Sequence, residues 1–361
     1  RNLLDPGEDP RRNPIFLAFL CAIIRAVDLH GDLLRCSTVT IGNDYRLGAN
    51  EAPPAIMSIY LGKRLNKVLQ QVEDGVFEEY QTKAPQLQVG VATSPNVKSD
   101  DDDRNRTSPL AFTGSKFEFR ACGSSQSCAG FNIFMNVAVA ESLDYISERI
   151  EKYANSPSKF DAKLQPLLGE MITRHKRIIY NENNYSQSWI EEAEKRGLPN
   201  LKTSLEALRP LLNLQNQHLL EKYKVFKSNE MFSRHEIMVE EYVRKIQIEG
   251  EVTRSMAQNL IFPVVLEEYG ELVQSLKTAQ EAGIVAGLPA LKSSIDSIGT
   301  LLDEMQTRIA ELSAIKTVDV NNCQEFIQKT RDLRQVVDRL EKLVDDRRWP
   351  LPKYREMLFI Y

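Results

Sequence analysis

Apolar positions recur at two different periods along this chain, and the change between them divides it. Up to about residue 130, short patterned runs alternate with polar breaks. Residues 14 to 29 form an apolar stretch opened by Pro14, which predicts a buried helix. Its fully apolar part, about Ile15 to Ile24, is roughly half of what a bilayer span needs, and Arg25 closes it. Residues 37 to 48, with Thr38, Val39, Thr40 and Ile41, predict an extended segment that runs into a loop at Arg46. Pro53 and Pro54 break that loop before a second helix expected from about Ala55 to Gln71. Gln86 to Val91 and Lys116 to Arg120 read as strands flanking a polar stretch at 92–109. This part of the chain is therefore mixed α and β.

Beyond Asn132 the period is helical almost everywhere. Val139, Leu143, Ile146, Ile150 and Tyr153 follow spacings of four and three, and Leu164, Leu167, Leu168, Met171 and Ile172 repeat the pattern. A loop with Gly197 and Pro199 precedes helices expected around 204–221 and 233–260, and Pro263 should kink or end the latter. Leu291, Ile295, Ile298, Leu302, Met305, Ile309 and Leu312 form a heptad seam. A second helix continues it with Phe326, Leu333, Val337, Leu340 and Val344, and Thr330 is its one polar member. Gly283, Gly287 and Pro289 set this hairpin apart. The fold class expected is α+β followed by a mostly helical extension, with the boundary near residue 246.

Composition narrows the class. At 361 residues, two modules are the prior expectation. A net charge of −4 with a pI near 5.8 offers no basic surface for nucleic acid, and no run is long enough to suggest a membrane partner. Five cysteines without C-x-x-C spacing argue against a disulfide framework and for a reducing compartment. The chain opens at Arg1 without a methionine, so an N-terminal part is expected to be missing.

Candidate chemistry concentrates in two stretches. Phe117-Glu118-Phe119-Arg120 alternates apolar and charged residues, so on a strand Glu118 and Arg120 share one face and the phenylalanines the other. Asn105-Arg106-Thr107-Ser108-Pro109 follows an acidic run, Asp100 to Asp103, and suits a loop that closes over a charged substrate. Upstream stands Arg46-Leu47-Gly48-Ala49-Asn50-Glu51-Ala52-Pro53. Taken singly, Glu118 with Arg120 is an edge-strand ion pair, Arg106 a solvated loop arginine and Glu51 a carboxylate near a helix start.

In this order, and together with Asn2-Leu3-Leu4-Asp5-Pro6-Gly7, Asn13 to Leu17, Gly197 to Ser204 and Trp349 to Tyr354, these segments resemble glutamine synthetases of the long type III class. The resemblance implies that residues 1–245 are the C-terminal portion of the catalytic domain and 246–361 the type III helical extension. It implies ligation of ammonia to the side-chain carboxylate of glutamate through a glutamyl phosphate, with ATP and Mg2+ or Mn2+. It also implies a homo-oligomer, a dodecamer of stacked hexameric rings; the compartment expected is the cytoplasm, with an organelle as the alternative. By the same resemblance Glu118 is a metal ligand, Arg120 lies beside the substrate's side-chain carboxylate and Arg46 grips its backbone carboxylate. Arg106 holds nucleotide phosphate and assists catalysis, and Glu51 is the flap carboxylate that deprotonates ammonium.

Two positions depart from the pattern. The spacing from Arg46 to Glu51 is one residue shorter than the commoner form, and Ala111 stands where a second arginine is expected, with Lys116 as its candidate replacement. The family's other metal ligands fall upstream of Arg1, so the isolated chain is expected to be inactive. The competing class is a non-catalytic assembly or regulatory subunit that keeps the fold. His235-Glu236 lacks the second histidine of a zinc protease helix, and His30, His175 and His218 have no ligand-spaced partners. The segment Ile178 to Trp189 resembles type III sequence without an assigned chemistry.

Overall fold

The computed structural model describes residues 2–49, 52–75, 86–87, 97–98 and 108–358. The chain divides into two compact units, Arg1–Met238 and Val239–Tyr361.

The first unit is built on helix α1 (Pro14–Cys36). Asn13 caps it by accepting the Phe16 N–H, and Pro14 occupies the first turn, where its missing N–H costs nothing. Phe16, Leu20, Ile24, Leu33 and Leu34 are fully buried. By length and composition alone α1 would cross a membrane, but 67% of that apolar window is buried inside the protein, as expected of a core helix. Helix α2 (Ile41–Arg46) corrects the extended segment expected at 37–48. Thr40, itself extended, caps Asn43 N–H with its hydroxyl, and Asp44 sits in the positive first turn. Capping outweighs β-branched propensity here.

Strand β1 (Ile59–Tyr60) precedes helix α3 (Gly62–Asp74), so the helix expected from Ala55 starts seven residues later. Residues 55–58 are instead a buried approach to the sheet, because Ile59 pairs with Leu110. Strands β2 (Gln86–Leu87) and β3 (Val97–Lys98) form a separate antiparallel pair. The three-stranded sheet has the order β1, β4 (Leu110–Phe112), β5 (Phe117–Phe119). Its first pair is parallel and its second antiparallel. Helices α4 (Ala129–Ile150) and α5 (Pro157–His175) pack on α1. α6 (Gln187–Lys195), α7 (Ser204–Leu208) and α8 (Leu214–Lys222) complete the unit.

Helix α9 (Ser228–Met256) carries the chain into the second unit and ends in a π turn at Ala257–Ile261. Pro263 then lies in the first turn of α10 (Phe262–Glu281), where the break was expected. Helices α11 (Leu288–Ala314) and α12 (Cys323–Leu340) form the predicted hairpin, and α13 (Tyr354–Met357) follows. Ile295, Ile298, Leu302 and Met305 are buried against α10 and α12, so most of the heptad seam is covered within its own unit. Thr330 tolerates that seam by returning its hydroxyl to Phe326 O at 2.9 Å.

Candidate active site

The β4–β5 hairpin turns at Gly114, whose φ of 85° suits a residue without a Cβ, and Thr113 N–H donates to Lys116 O at 2.9 Å. From this hairpin the alternating side chains separate as the sequence predicts. Phe119 stacks on Phe131 with centroids 3.7 Å apart, and Phe117 meets Phe112 edge-on at 5.2 Å. On the other face Arg120 Nη2 donates to Glu118 Oε2 at 3.2 Å, and Lys116 Nζ stands 3.5 Å from Oε1. The hydrogen bond from Arg120 holds the Glu118 carboxyl below its ordinary value, so it is an ionised oxygen donor at neutral pH.

Immediately beyond Arg120, the Ala121 carbonyl is a junction. It accepts from Arg46 Nη2 at 2.7 Å and from Asn43 Nδ2 at 3.0 Å. Asn43 is fully buried. Its Oδ1 receives Nε and Nη2 of Arg46 at 3.0 and 2.9 Å, while its Nδ2 also donates to Thr38 O at 2.7 Å. Arg46 is thereby fixed beside the backbone that carries Arg120. Asn43 went unnoticed in the sequence. Its signal is the i, i+3 spacing to Arg46 on one helix, which only becomes visible once 41–46 is known to be helical.

The loop after Arg46 is tied at its base. Gly48 N–H donates to Ala52 O at 3.2 Å and Pro53 O at 2.9 Å, with Gly48 at φ 74°. Glu51 and Arg106 lie outside the described residues. Ala111 is fully buried opposite Glu118, in the middle of β4. As the direct cross-strand partner of Glu118 it shares the Glu118 face, which Lys116 also reaches. The Ile178–Trp189 segment proves to be a brace. Asn181 Oδ1 accepts the Leu61 and Gly62 N–H groups at the start of α3. Asn184 Nδ2 donates to Ser58 Oγ at 3.2 Å, and Ser108 Oγ donates to Tyr180 O at 3.1 Å. These bonds tie the segment to Ser58, to the start of α3 and to Ser108.

The histidines take structural positions. His30 is buried between Asn216 and Glu141, His175 Nδ1 lies 2.8 Å from Asp28 Oδ2, and His235 lies beside Glu236. Among the described residues, no group of three or more His, Cys, Asp or Glu side chains is arranged to hold a metal ion.

Residues 163–280 match the family model of the glutamine synthetase C-terminal domain. The chain is 37% identical to a type-3 glutamine synthetase of Dictyostelium discoideum over 99% of its own length and 50% of that protein. Glutamine synthetases of Bacteroides fragilis (strain YCH46) and Butyrivibrio fibrisolvens are 34% and 33% identical, each over 99% of this chain and covered to 51% and 52%. The chain thus spans about half the length of the curated relatives it matches. On the strength of a likeness that runs through nearly all of its residues, the chain belongs to the glutamine synthetase family.

Proposed function

We propose that this chain carries part of the active site of a glutamate–ammonia ligase, in which ATP phosphorylates the side-chain carboxylate of glutamate and ammonia displaces the phosphate. The observation that carries the reading is the pair of arginines set around Ala121 and next to an ionised glutamate. Two guanidinium groups suit a dicarboxylate, because each can hold a carboxylate in two parallel charge-assisted bonds. In this reading Arg46 holds the backbone carboxylate and Arg120 the reacting one, while Arg106 and Lys116 meet nucleotide phosphate. Glu118 contributes an oxygen to a divalent cation, Mg2+ or Mn2+, which when bound neutralises charge on the transferring phosphoryl group. Glu51 takes the proton from ammonium, and a loop tied at Gly48 and Ala52 is suited to exclude water from a hydrolysable acyl phosphate.

The working form is a cytoplasmic homo-oligomer of stacked hexameric rings. Two features support this: five unpaired cysteines and an exposed apolar stripe on α9 and α10, with Ile248 and Val252 one turn apart and Leu266 and Val273 two turns apart. The test is synthesis of glutamine by the natural protein from glutamate, ammonium and ATP, followed by rapid quench of Glu51→Ala. Loss of the base should lower kcat by roughly 10²- to 10⁴-fold and spare formation of the acyl phosphate. Equal losses in both steps would remove the base assignment, and a wild-type protein that makes no glutamine would favour a non-catalytic subunit.

A further inference from the structure

The C-terminal half of α1 and the segment from Leu198 to Asn213 line a cleft of about 590 Å3 within the first unit. Small-molecule sites span about 300–1,000 Å3, so its size suits one. α1 contributes Val27, Asp28, Gly31 and Asp32, the i, i+3, i+4 spacing of one helix face, whereas Arg46, Lys116, Glu118 and Arg120 do not line it. The charged groups of the cleft differ in whether they are matched. Asp28 is matched, with Arg177 Nε 2.6 Å from Oδ1 and His175 Nδ1 2.8 Å from Oδ2. Asp32, half-buried, meets neutral donors: its Oδ1 accepts the Leu33 N–H at 2.7 Å, and its Oδ2 the amides of Asn216 and Asn213 at 3.3 and 3.4 Å. Glu206, also half-buried, uses Oε2 to cap α7 by accepting the Thr203 N–H at 3.0 Å. Among the described residues neither carboxylate forms an ion pair, and neither does Arg209, which lies exposed in the same lining. Two carboxylates and one guanidinium of a single cleft therefore stand without counter-charges, which partial burial makes unfavourable.

We propose that this cleft binds an α-amino acid whose side chain carries a cation, of the lysine or arginine kind. The charges of such a ligand mirror those left unmatched. Its carboxylate meets the Arg209 guanidinium in charge-assisted hydrogen bonds, and its two cationic groups meet Asp32 and Glu206. The methylene chain between them lies on the apolar part of the lining, to which Met57, Leu198 and Leu201 contribute. A simple diamine would satisfy the two carboxylates but bring a like charge to Arg209. An amino acid with a neutral side chain would leave one carboxylate unmatched, so both are discriminated against. Asn200, also in the lining, has a side-chain oxygen that is screened from solvent and has no hydrogen-bond partner, and a turn of its amide toward a ligand ammonium would supply one. The wall is held before any ligand arrives: Arg35 Nε donates to Leu201 O at 3.0 Å, and the Ser204 N–H donates to Asp44 Oδ2 at 2.9 Å. A preformed wall loses little freedom on binding.

Isothermal titration of the natural protein with L-lysine tests this without requiring that it make glutamine. L-Lysine should bind at one site per chain, and saturating glutamate should leave its Kd unchanged. Cadaverine, which lacks the carboxylate, and norleucine, which lacks the side-chain ammonium, should each bind roughly 10- to 100-fold more weakly, the scale of one charge-assisted contact. Arg209→Ala, at an exposed position, should weaken L-lysine by a similar factor and leave cadaverine no weaker than before. Asp32→Asn, which keeps the shape of the side chain, should weaken L-lysine and cadaverine alike. A general loss of structure would weaken every ligand in both variants, so the split in Arg209→Ala separates contact from folding. No saturable L-lysine binding up to about 10 mM would overturn the site, as would displacement by glutamate or an unaltered Kd in both variants. Equal losses of L-lysine and cadaverine in Arg209→Ala, or norleucine binding as tightly as L-lysine, would overturn the ligand class.

Discussion

Single buried polar groups settle much of this molecule's behaviour. Asn43 is the clearest instance, because one amide orients Arg46 and ties α2 to the segment after β5. The half-buried Glu141 acts alongside them: it receives Arg25 Nη1 at 2.6 Å and faces His30 Nε2 at 3.4 Å, joining α4 to α1. Burial alone would raise its carboxyl. The hydrogen bonds from His30 and Arg25, with the Arg25 charge, reverse that and bring it from an ordinary 4.5 to about 2. The folded state therefore resists protonation that the unfolded chain accepts. The stabilisation is full above about pH 4.5 and is lost as pH falls toward about 2. Urea unfolding followed across that window should show the midpoint falling with pH. Glu141→Gln, less stable at neutral pH because Arg25 loses its counter-charge, should show a shallower fall. Equal slopes in the two proteins would refute the role given to this carboxylate.

At the scale of elements, close approach decides the packing of the second unit. A methyl group added to Gly250 on α9 would overlap the Phe326 ring of α12 and stand 3.1 Å from Thr330 Oγ1. Gly250→Ala should therefore destabilise by about 1–3 kcal/mol despite the better helix propensity of alanine, and Phe326→Leu should relieve part of that loss. Chemical denaturation of the two single variants and the double variant measures the coupling, and additive effects would show that the contact is unimportant. The long helices and the α11–α12 hairpin were legible in the sequence because their periodicity spans many turns. The short elements were not: residues 41–46 carry strand-like Thr, Val and Ile just before them, and their helix depends on the Thr40 cap. Residues 55–58 look helical beside α3 but are taken up by the approach to β1. The Phe117–Arg120 alternation was legible because a strand separates its faces at every residue, while Asn43 was hidden by the misread helix that presents it.

At the scale of the whole molecule, the heptad seam is largely covered within the second unit. If the protein assembles as proposed, the contacts fall to apolar surface left outside that seam, where Ile248, Val252, Leu266 and Val273 remain 41% to 59% exposed. Placing lysine at both Val252 and Leu266 should leave helix content unchanged and yield smaller assemblies by light scattering. An assembly of unchanged mass would place the contacts elsewhere. The central claim, that Arg46 and Arg120 grip the two carboxylates of glutamate in a ligase, is tested most directly by steady-state kinetics of Arg46→Ala in the natural protein. Loss of a charge-assisted contact of about 1.5–3 kcal/mol should raise the KM for glutamate by roughly 10- to 100-fold. The KM for ATP should stay within about twofold, because the nucleotide is held by other groups. An unchanged KM for glutamate, or equal rises for glutamate and ATP, would contradict the account.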